Sequence, residues 1–398
     1  MNTLLTTEQK NAVLSTMAEL IDQEQDAIKA ANQIDIDSYK GEDLAMEKRL
    51  KVDQAKVDGM ILSLNQLVAD EEPIGKELFH FTHDNGIKIV NKTAPFGTVM
   101  IIYESRPDVT VEAAGIAFKS GNKILLKGGK ESLNSNLKIV ELWHKALEQH
   151  GITTDWVEYM NKSREETSAF LENPTQQLDL IVPRGGEKLI EFVKKNAKCP
   201  VIVSGRGNNF VYVDTEADLD IALNIIDNGK TSNISVCNAV DKVLINSNLA
   251  GKDAFIEKLI NKLKVANVQI FGDEVISKYD QVEAYDSEDI WYKEFLDFKI
   301  VIGSVDSVEE AIAKSNKYSG GHSAVIITKN DATAETFMEN TDCAAVYQNA
   351  SSRFTDGGQF GLGGELAIST DKLHHRGPMG LHHLVTNKWY VKGDGQIR

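Results

Sequence analysis

Residues 98–127 read TVMIIYESRPDVTVEAAGIAFKSGNKILLK, and how this run divides decides the fold. Residues 98–103, apolar from Val99 onward, have the pattern of a strand covered on both faces. Residues 109–120 read as a helix and 123–127 as a second strand, so the stretch is one βαβ unit. Working outward, residues 132–150 place Leu133, Leu137, Val140 and Leu147 on one helical face. Further strands are expected at 156–160, 178–182, 200–203 and 210–213, with a helix at 186–195. That alternation predicts a doubly wound, mostly parallel sheet.

Upstream, Ala12, Val13, Met17, Leu20, Ile21 and Ile28 recur at helical spacing, and Thr6 with Gln9 carries a capping-box signature. Helix is expected to about Leu67. Residues 79–90 then read as strand, turn and strand, with Asn85-Gly86 suiting a primed hairpin turn. Such a hairpin, set between helix and an α/β sheet, projects and can pair with another subunit. Beyond Ala239 a second alternation follows, with strands at 242–245, 268–271, 299–302 and 324–328 and helices at 252–265, 307–316 and 331–339. Residues 384–391 are a final candidate strand.

A chain of 398 residues exceeds the roughly 250 to 300 that one core supports, so two or three domains are expected. Its net charge of −16 argues against a nucleic-acid backbone as partner, while leaving room for a locally positive pocket that holds a small anion. No apolar run reaches about 18 residues, and the first residues lack a basic region followed by an apolar one, so no membrane association and a cytoplasmic location are expected. Cys199, Cys237 and Cys343 are scattered, odd in number and without a CxxC, which fits reduced thiols.

Cys237 closes the polar stretch Asn228-Gly-Lys-Thr-Ser-Asn-Ile-Ser-Val-Cys-Asn-Ala239 just before a hydrophobic strand. A cysteine taken blind is more often a small buried hydrophobe than a nucleophile, so the neighbours must decide. Gly229-Lys230-Thr231 imitates the end of a P-loop, but Asn224 stands where its first glycine belongs. Gly205-Arg206-Gly207 starts like a dinucleotide fingerprint, lacks the third glycine and opens no helix. Lys127-Gly128-Gly129-Lys130 follows the second strand of the βαβ unit, where ligands of open sheets gather, and its lysines can meet a 2′-phosphate. Arg184-Gly185-Gly186 offers backbone N–H groups at a helix start. His374, His375, His382 and His383 lack the Cys or paired carboxylates that would complete a metal site, and no metal is expected; with Arg376 they suit a loop around an anion.

Five segments together resemble the γ-glutamyl phosphate reductase family of the aldehyde dehydrogenase superfamily, in order and nearly end to end. They are Tyr103-Glu-Ser-Arg-Pro-Asp-Val-Thr110, Ile181-Val-Pro-Arg-Gly-Gly186, Ser235-Val-Cys-Asn-Ala239, the run from Asn349 to Gly361, and the run from Lys372 to Leu381. The resemblance implies two doubly wound α/β domains, a Rossmann-like cofactor domain and a catalytic domain, plus a small β oligomerisation element. Residues 1–230 would be the cofactor domain, with a hairpin over 72–94, residues 231–355 the catalytic domain, and 356–398 a return segment with a C-terminal oligomerisation strand. It implies NADPH-dependent reduction of L-glutamyl 5-phosphate to the semialdehyde, the second step of proline biosynthesis, by a homo-oligomer of two or four chains. Contact with glutamate 5-kinase stays open. Alternatives are another acyl reductase or aldehyde oxidase of the superfamily, or a non-catalytic scaffold for that kinase.

By the same resemblance Cys237 is the nucleophile and its backbone N–H an oxyanion donor. The second donor of related enzymes, an asparagine, is replaced by Asp108, and a carboxylate donates only when protonated. The segment that carries the water-activating glutamate of hydrolytic relatives matches Ser204-Gly-Arg-Gly207, which has no carboxylate. Glu294 resembles the glutamate that holds the nicotinamide ribose. Arg106, Arg353, His375 and Arg376 are candidates for the substrate's carboxylate and phosphate, and Asp356 or Asp108 for its ammonium.

Overall fold

The computed structural model describes residues 5–41 and 44–398. The chain forms two compact units, Met1–Val203 with Gly361–Ala367 and Met379–Arg398, and Ser204–Phe360 with Ile368–Pro378. The division falls at 203/204 instead of 230/231, because the strand and helix between those points belong to the second unit's sheet.

In the first unit, α1 (Thr7–Gln23) starts on the expected capping box: Thr6 Oγ1 accepts from Gln9 N–H at 3.2 Å and Gln9 Oε1 from Thr6 N–H at 2.9 Å. Glu24 breaks the helix before α2 (Gln25–Ser38), and α3 (Leu44–Leu50) and α4 (Gln54–Ala69) follow. Strands β1 (Glu77–Thr82) and β2 (Lys88–Pro95) pair antiparallel. Their turn is not a primed one. Gly86 N–H donates to the His83 carbonyl, and only Gly86, at φ 88°, is left-handed, so a three-residue loop ends in a glycine bulge.

Next come β3 (Thr98–Tyr103), α5 (Pro107–Lys119), β4 (Lys123–Lys127), α6 (Leu133–Gln149), β5 (Val157–Tyr159), α7 (Arg164–Glu172), β6 (Leu180–Arg184) and α8 (Glu187–Asn196). The four strands form a parallel sheet in the order β5-β4-β3-β6. Val99, Ile101 and Tyr103 of β3 join one core with α1, α4, α5 and α6, while Met100 and Ile102 join another with α7 and α8. Two-sided burial is why β3 reads as an apolar run from Val99 onward. On α6 the buried stripe runs through Ile139, Val140, Leu142, Trp143, Ala146 and Leu147, and Leu137 is exposed. The strand expected over 200–203 shrinks to a single bridge between Val201 and Ile181.

The second unit contains β7 (Asn209–Val213), α9 (Leu219–Thr231), β8 (Val240–Asn246), α10 (Lys252–Val265), β9 (Gln269–Gly272), β10 (Glu283–Ala284), β11 (Lys299–Val305), α11 (Val308–Tyr318), β12 (Ser323–Ile327), α12 (Asp331–Asn340) and β13 (Ala345–Gln348). Its strands form a seven-stranded parallel sheet, β10-β9-β11-β8-β7-β12-β13. Val243 and Ile245 face the core under α9 and α10, and Leu244 the core under α11 and α12. Gly229-Lys230-Thr231, the apparent P-loop end, is the last turn of α9, and Gly229 packs against Val240. The chain returns through β14 (Ala367–Ser369) and β15 (Gly377–Met379), and β16 (Val385–Lys392) pairs with β2 along eight residues to complete a three-stranded sheet, β1-β2-β16.

Candidate active site

Three loops of the second unit enter neighbouring strands at their N-terminal ends: 204–208 before β7, 232–239 before β8, and 293–298 before β11. Cys237, half-buried, lies in the middle one. Its backbone is clamped by Asn209, fully buried at the start of β7, whose Nδ2 donates to the carbonyls of Cys237 at 2.7 Å, Ala239 at 2.6 Å and Gly207 at 3.1 Å. Gly207 lies flat on the same peptide. A Cβ there would stand 1.9 Å from the Cys237 carbonyl oxygen, so only glycine permits the approach. The lost third glycine of a dinucleotide fingerprint is thus beside the point: this Gly-x-Gly seats the cysteine. On its other side the Gly207 N–H donates to Glu294 Oε1 at 3.1 Å.

Asn238, the next residue, straps in a second loop. Its Nδ2 donates to the carbonyls of Thr355 at 2.9 Å and Arg353 at 3.3 Å, and Ser352 Oγ donates back to the Asn238 carbonyl at 2.8 Å. This holds Arg353 in the field of Cys237. Arg353 Nε donates to Ser232 Oγ at 3.2 Å, and its Nη1 is buried with no partner. Burial lowers the Arg353 pKa, with Cys237 and then Asp356 drawing it back up. A desolvated guanidinium N–H is costly to leave unmade, so beside a nucleophile it is a ready anion site. Burial raises the thiols of Cys199 and Cys343, Cys343 to about 11, which makes both poor nucleophiles.

Arg376 is paired on one side, and its Nε is buried without a partner. Its Nη1 donates to Asp342 Oδ1 at 2.7 Å and its Nη2 to the Asp342 carbonyl at 3.0 Å, while Lys372 meets the other carboxylate oxygen at 2.8 Å. His375 Nε2 lies 3.0 Å from the Pro378 carbonyl, and the Gly380 N–H donates to His383 Nδ1 at 3.1 Å. Among the described residues no cluster of three His, Cys, Asp or Glu is placed to hold a metal.

In the first unit the loops at the carboxyl ends of β3, β4 and β6 are tied to one another. Glu104 Oε1 accepts from the Gly186 N–H at 3.0 Å, and Ser105 Oγ donates to Glu131 at 3.1 Å. The chain runs from β3 out to β5 and back to β6 on the other side, so this is the switch point where open sheets bind ligands. Gly128 is forced, since a Cβ would meet Asn136 Nδ2 at 2.2 Å. Lys127 Nζ donates to the Gly128 carbonyl at 3.1 Å, and burial lowers its pKa. Lys130 is exposed, and Arg184 Nη1 reaches the Glu365 carbonyl at 3.4 Å. A cleft of about 570 Å³ between α7 and α8 is lined by Arg164, Lys188 and Lys195 beside Glu165 and Glu191.

Asp108 sits in the first turn of α5 as an ion-pair partner, accepting from Arg106 Nη2 at 3.0 Å with Lys56 Nζ 3.7 Å from its other oxygen. Lys56 and Asn209 carry no motif in the sequence; tertiary packing alone brings Lys56 to Asp108 and the Asn209 amide to the Cys237 carbonyl.

A model of the aldehyde dehydrogenase family matches residues 3–276 and 288–389. Gamma-glutamyl phosphate reductase of Clostridium botulinum is 42% identical over 99% of this chain and 95% of its own length. The chain belongs to the aldehyde dehydrogenase family, in its gamma-glutamyl phosphate reductase branch. The same enzyme of Halothermothrix orenii is 41% identical over 99% of this chain and 94% of its own. The crystal structure of gamma-glutamyl phosphate reductase from Thermotoga maritima superposes with a TM-score of 0.94 at 38% identity, over 99% of this chain and 95% of the other. The protein is therefore an oxidoreductase of that branch, and its two parallel sheets have the aldehyde dehydrogenase fold. An acetylating aldehyde dehydrogenase from Geobacillus thermoglucosidasius, at 16% identity and a TM-score of 0.70 over 99% and 93% of the two chains, shares that fold. No helix among the described residues is long and apolar enough to cross a membrane.

Proposed function

We propose that the protein reduces L-glutamyl 5-phosphate to L-glutamate 5-semialdehyde and phosphate, with NADPH as reductant and a thioester on Cys237, as the cytoplasmic second step of proline biosynthesis. The observation that carries the reading is the buried, unpartnered Arg353 Nη1 in the field of Cys237. An acyl phosphate brings both the electrophile that a thiolate attacks and the dianion that a guanidinium binds.

The Cys237 thiolate adds to the acyl carbon, the carbon–oxygen bond to phosphate breaks, and phosphate leaves with the electron pair. The Cys237 N–H stabilises the acyl oxygen that gains charge, and the Arg353 guanidinium the departing phosphate. When bound, the nicotinamide supplies hydride to the acyl carbon. The thiohemiacetal oxygen then re-forms its carbonyl and expels the Cys237 thiolate, releasing the aldehyde. Gly207, where hydrolytic relatives have a carboxylate-bearing segment, gives no base to activate water against the thioester. Lys127, Gly128, Gly129, Lys130, Arg184, Gly185, Gly186 and Glu294 would hold NADPH, and the basic cleft between α7 and α8 suits its phosphate-bearing end. Arg106, Arg353, His375 and Arg376 are assigned to the substrate's carboxylate and phosphate, and Asp356 or Asp108 to its ammonium; Arg376 also braces its loop through Asp342. The three-stranded sheet of β1, β2 and β16, with exposed Phe79, Phe81, Trp389 and Val391, would join subunits.

Steady-state oxidation of glutamate semialdehyde tests this in reverse, with NADP⁺ or NAD⁺ and with or without phosphate. Turnover that requires phosphate and prefers NADP⁺ supports the proposal. Free glutamate formed at an undiminished rate without phosphate overturns it.

A further inference from the structure

Below the site lies a buried charge cluster that the reaction itself does not use. Lys230, Asp241 and Lys242 are each at most 2% exposed. Lys230 Nζ pairs with Asp241 Oδ1 at 2.7 Å, and Asp241 Oδ2 accepts from the Phe295 N–H at 2.7 Å. Lys242 Nζ donates to the Lys293 carbonyl at 2.7 Å and stands 4.2 Å from the centre of the Phe295 ring. The pairing of β7 with β8 steps from Asn209↔Val240 to Phe210↔Lys242, so Asp241 is the extra residue of a bulge. Bulges re-aim side chains and cluster beside active sites.

Both backbone bonds fall on the residues flanking Glu294. Glu294 in turn accepts from the Gly207 N–H, and Gly207 lies against the Cys237 carbonyl. A buried ion pair is weak evidence for stability, and three titratable groups here are directed at one short segment. From this arrangement we infer that Asp241 and Lys242 are positioning residues that fix Glu294 for cofactor binding, with Lys230 holding Asp241 in place. The inference rests on the reading of Glu294 as a cofactor ligand. Burial lowers the Lys242 pKa to about 7, while Asp241 and Glu294 raise it and Lys230 lowers it. Either protonation state still donates to the Lys293 carbonyl, so the hold does not depend on charge.

The test is a double-variant cycle read by calorimetric titration of NADP⁺ into the intact protein, using Lys242→Met, Glu294→Gln and their combination, with melting followed in parallel. Losing one anchoring hydrogen bond should raise the NADP⁺ Kd of Lys242→Met by about five- to tenfold. The double variant should bind no more weakly than Glu294→Gln alone, because Lys242 acts through Glu294. If Lys242→Met does not fold, Asp241→Asn, which keeps size and an acceptor for the Phe295 N–H, goes through the same cycle. An unchanged Kd in a folded Lys242→Met, or multiplicative losses in the double variant, overturns the inference. If Glu294→Gln itself binds NADP⁺ as the parent does, the reading of Glu294 fails and the inference falls with it.

Discussion

Gly207 shows how a single residue can be visible in a sequence while its purpose is not. Its neighbours suggest a nucleotide loop, but its constraint is the Cys237 carbonyl oxygen 1.9 Å from where a Cβ would be. Gly207→Ala must therefore push the Cys237 peptide aside, and a displacement of that size costs on the order of a hundredfold in kcat. Turnover and the rate of Cys237 alkylation by iodoacetamide, measured together, check this; parental values for both would refute the clamp. Cys237, Arg353 and Glu294 are legible because they sit in segments that resemble a family. Asn209 is not, since an asparagine opening an apolar strand announces nothing until its amide is seen on three carbonyls.

At the scale of elements, strands buried on both faces read clearly, and β3 and β4 span the expected residues 98–103 and 123–127. Helices were harder where composition opposes packing. α9 contains Asn224, Asp227, Asn228 and Gly229, poor helix formers, yet Ala222, Ile225 and Ile226 bury against the sheet and carry the helix through Lys230. α7 buries only Thr167, Phe170 and Leu171, too few for a periodic signal. The β1-β2-β16 sheet belongs here too: Phe79 and Trp389, about half exposed, meet edge to face with ring centroids 5.8 Å apart. With each aromatic contributing roughly 1.5 to 3 kcal/mol when covered, Phe79→Ser with Trp389→Ser should weaken subunit association by on the order of a hundredfold or more. Sedimentation velocity should show a shift toward monomer; an unaltered assembly would remove this sheet from the interface.

For the molecule as a whole, stability should depend on one enclosed imidazole. His322 is fully buried, with Nδ1 2.9 Å from Ser323 Oγ and Nε2 unpartnered, and burial lowers its pKa from 6.5 to about 4. Above pH 6.5 both folded and unfolded chains hold it neutral. As pH falls toward 4 only the unfolded chain takes the proton, so about 3 kcal/mol of stability is lost across that window. Urea unfolding of His322→Gln against the parent should show a shallower decline over this range, and parallel declines would contradict the assignment.

The whole arrangement, two parallel sheets with a clamped cysteine before one and tied glycine loops after the other, has a single chemical premise. Cys237→Ser tests it directly. Turnover of glutamate semialdehyde with NADP⁺ and phosphate should fall by at least about a thousandfold, because a serine hydroxyl offers no comparable nucleophile, while calorimetric NADP⁺ binding stays within about twofold of the parent. A serine variant that turns over at the parental rate would show that the covalent step does not run through Cys237.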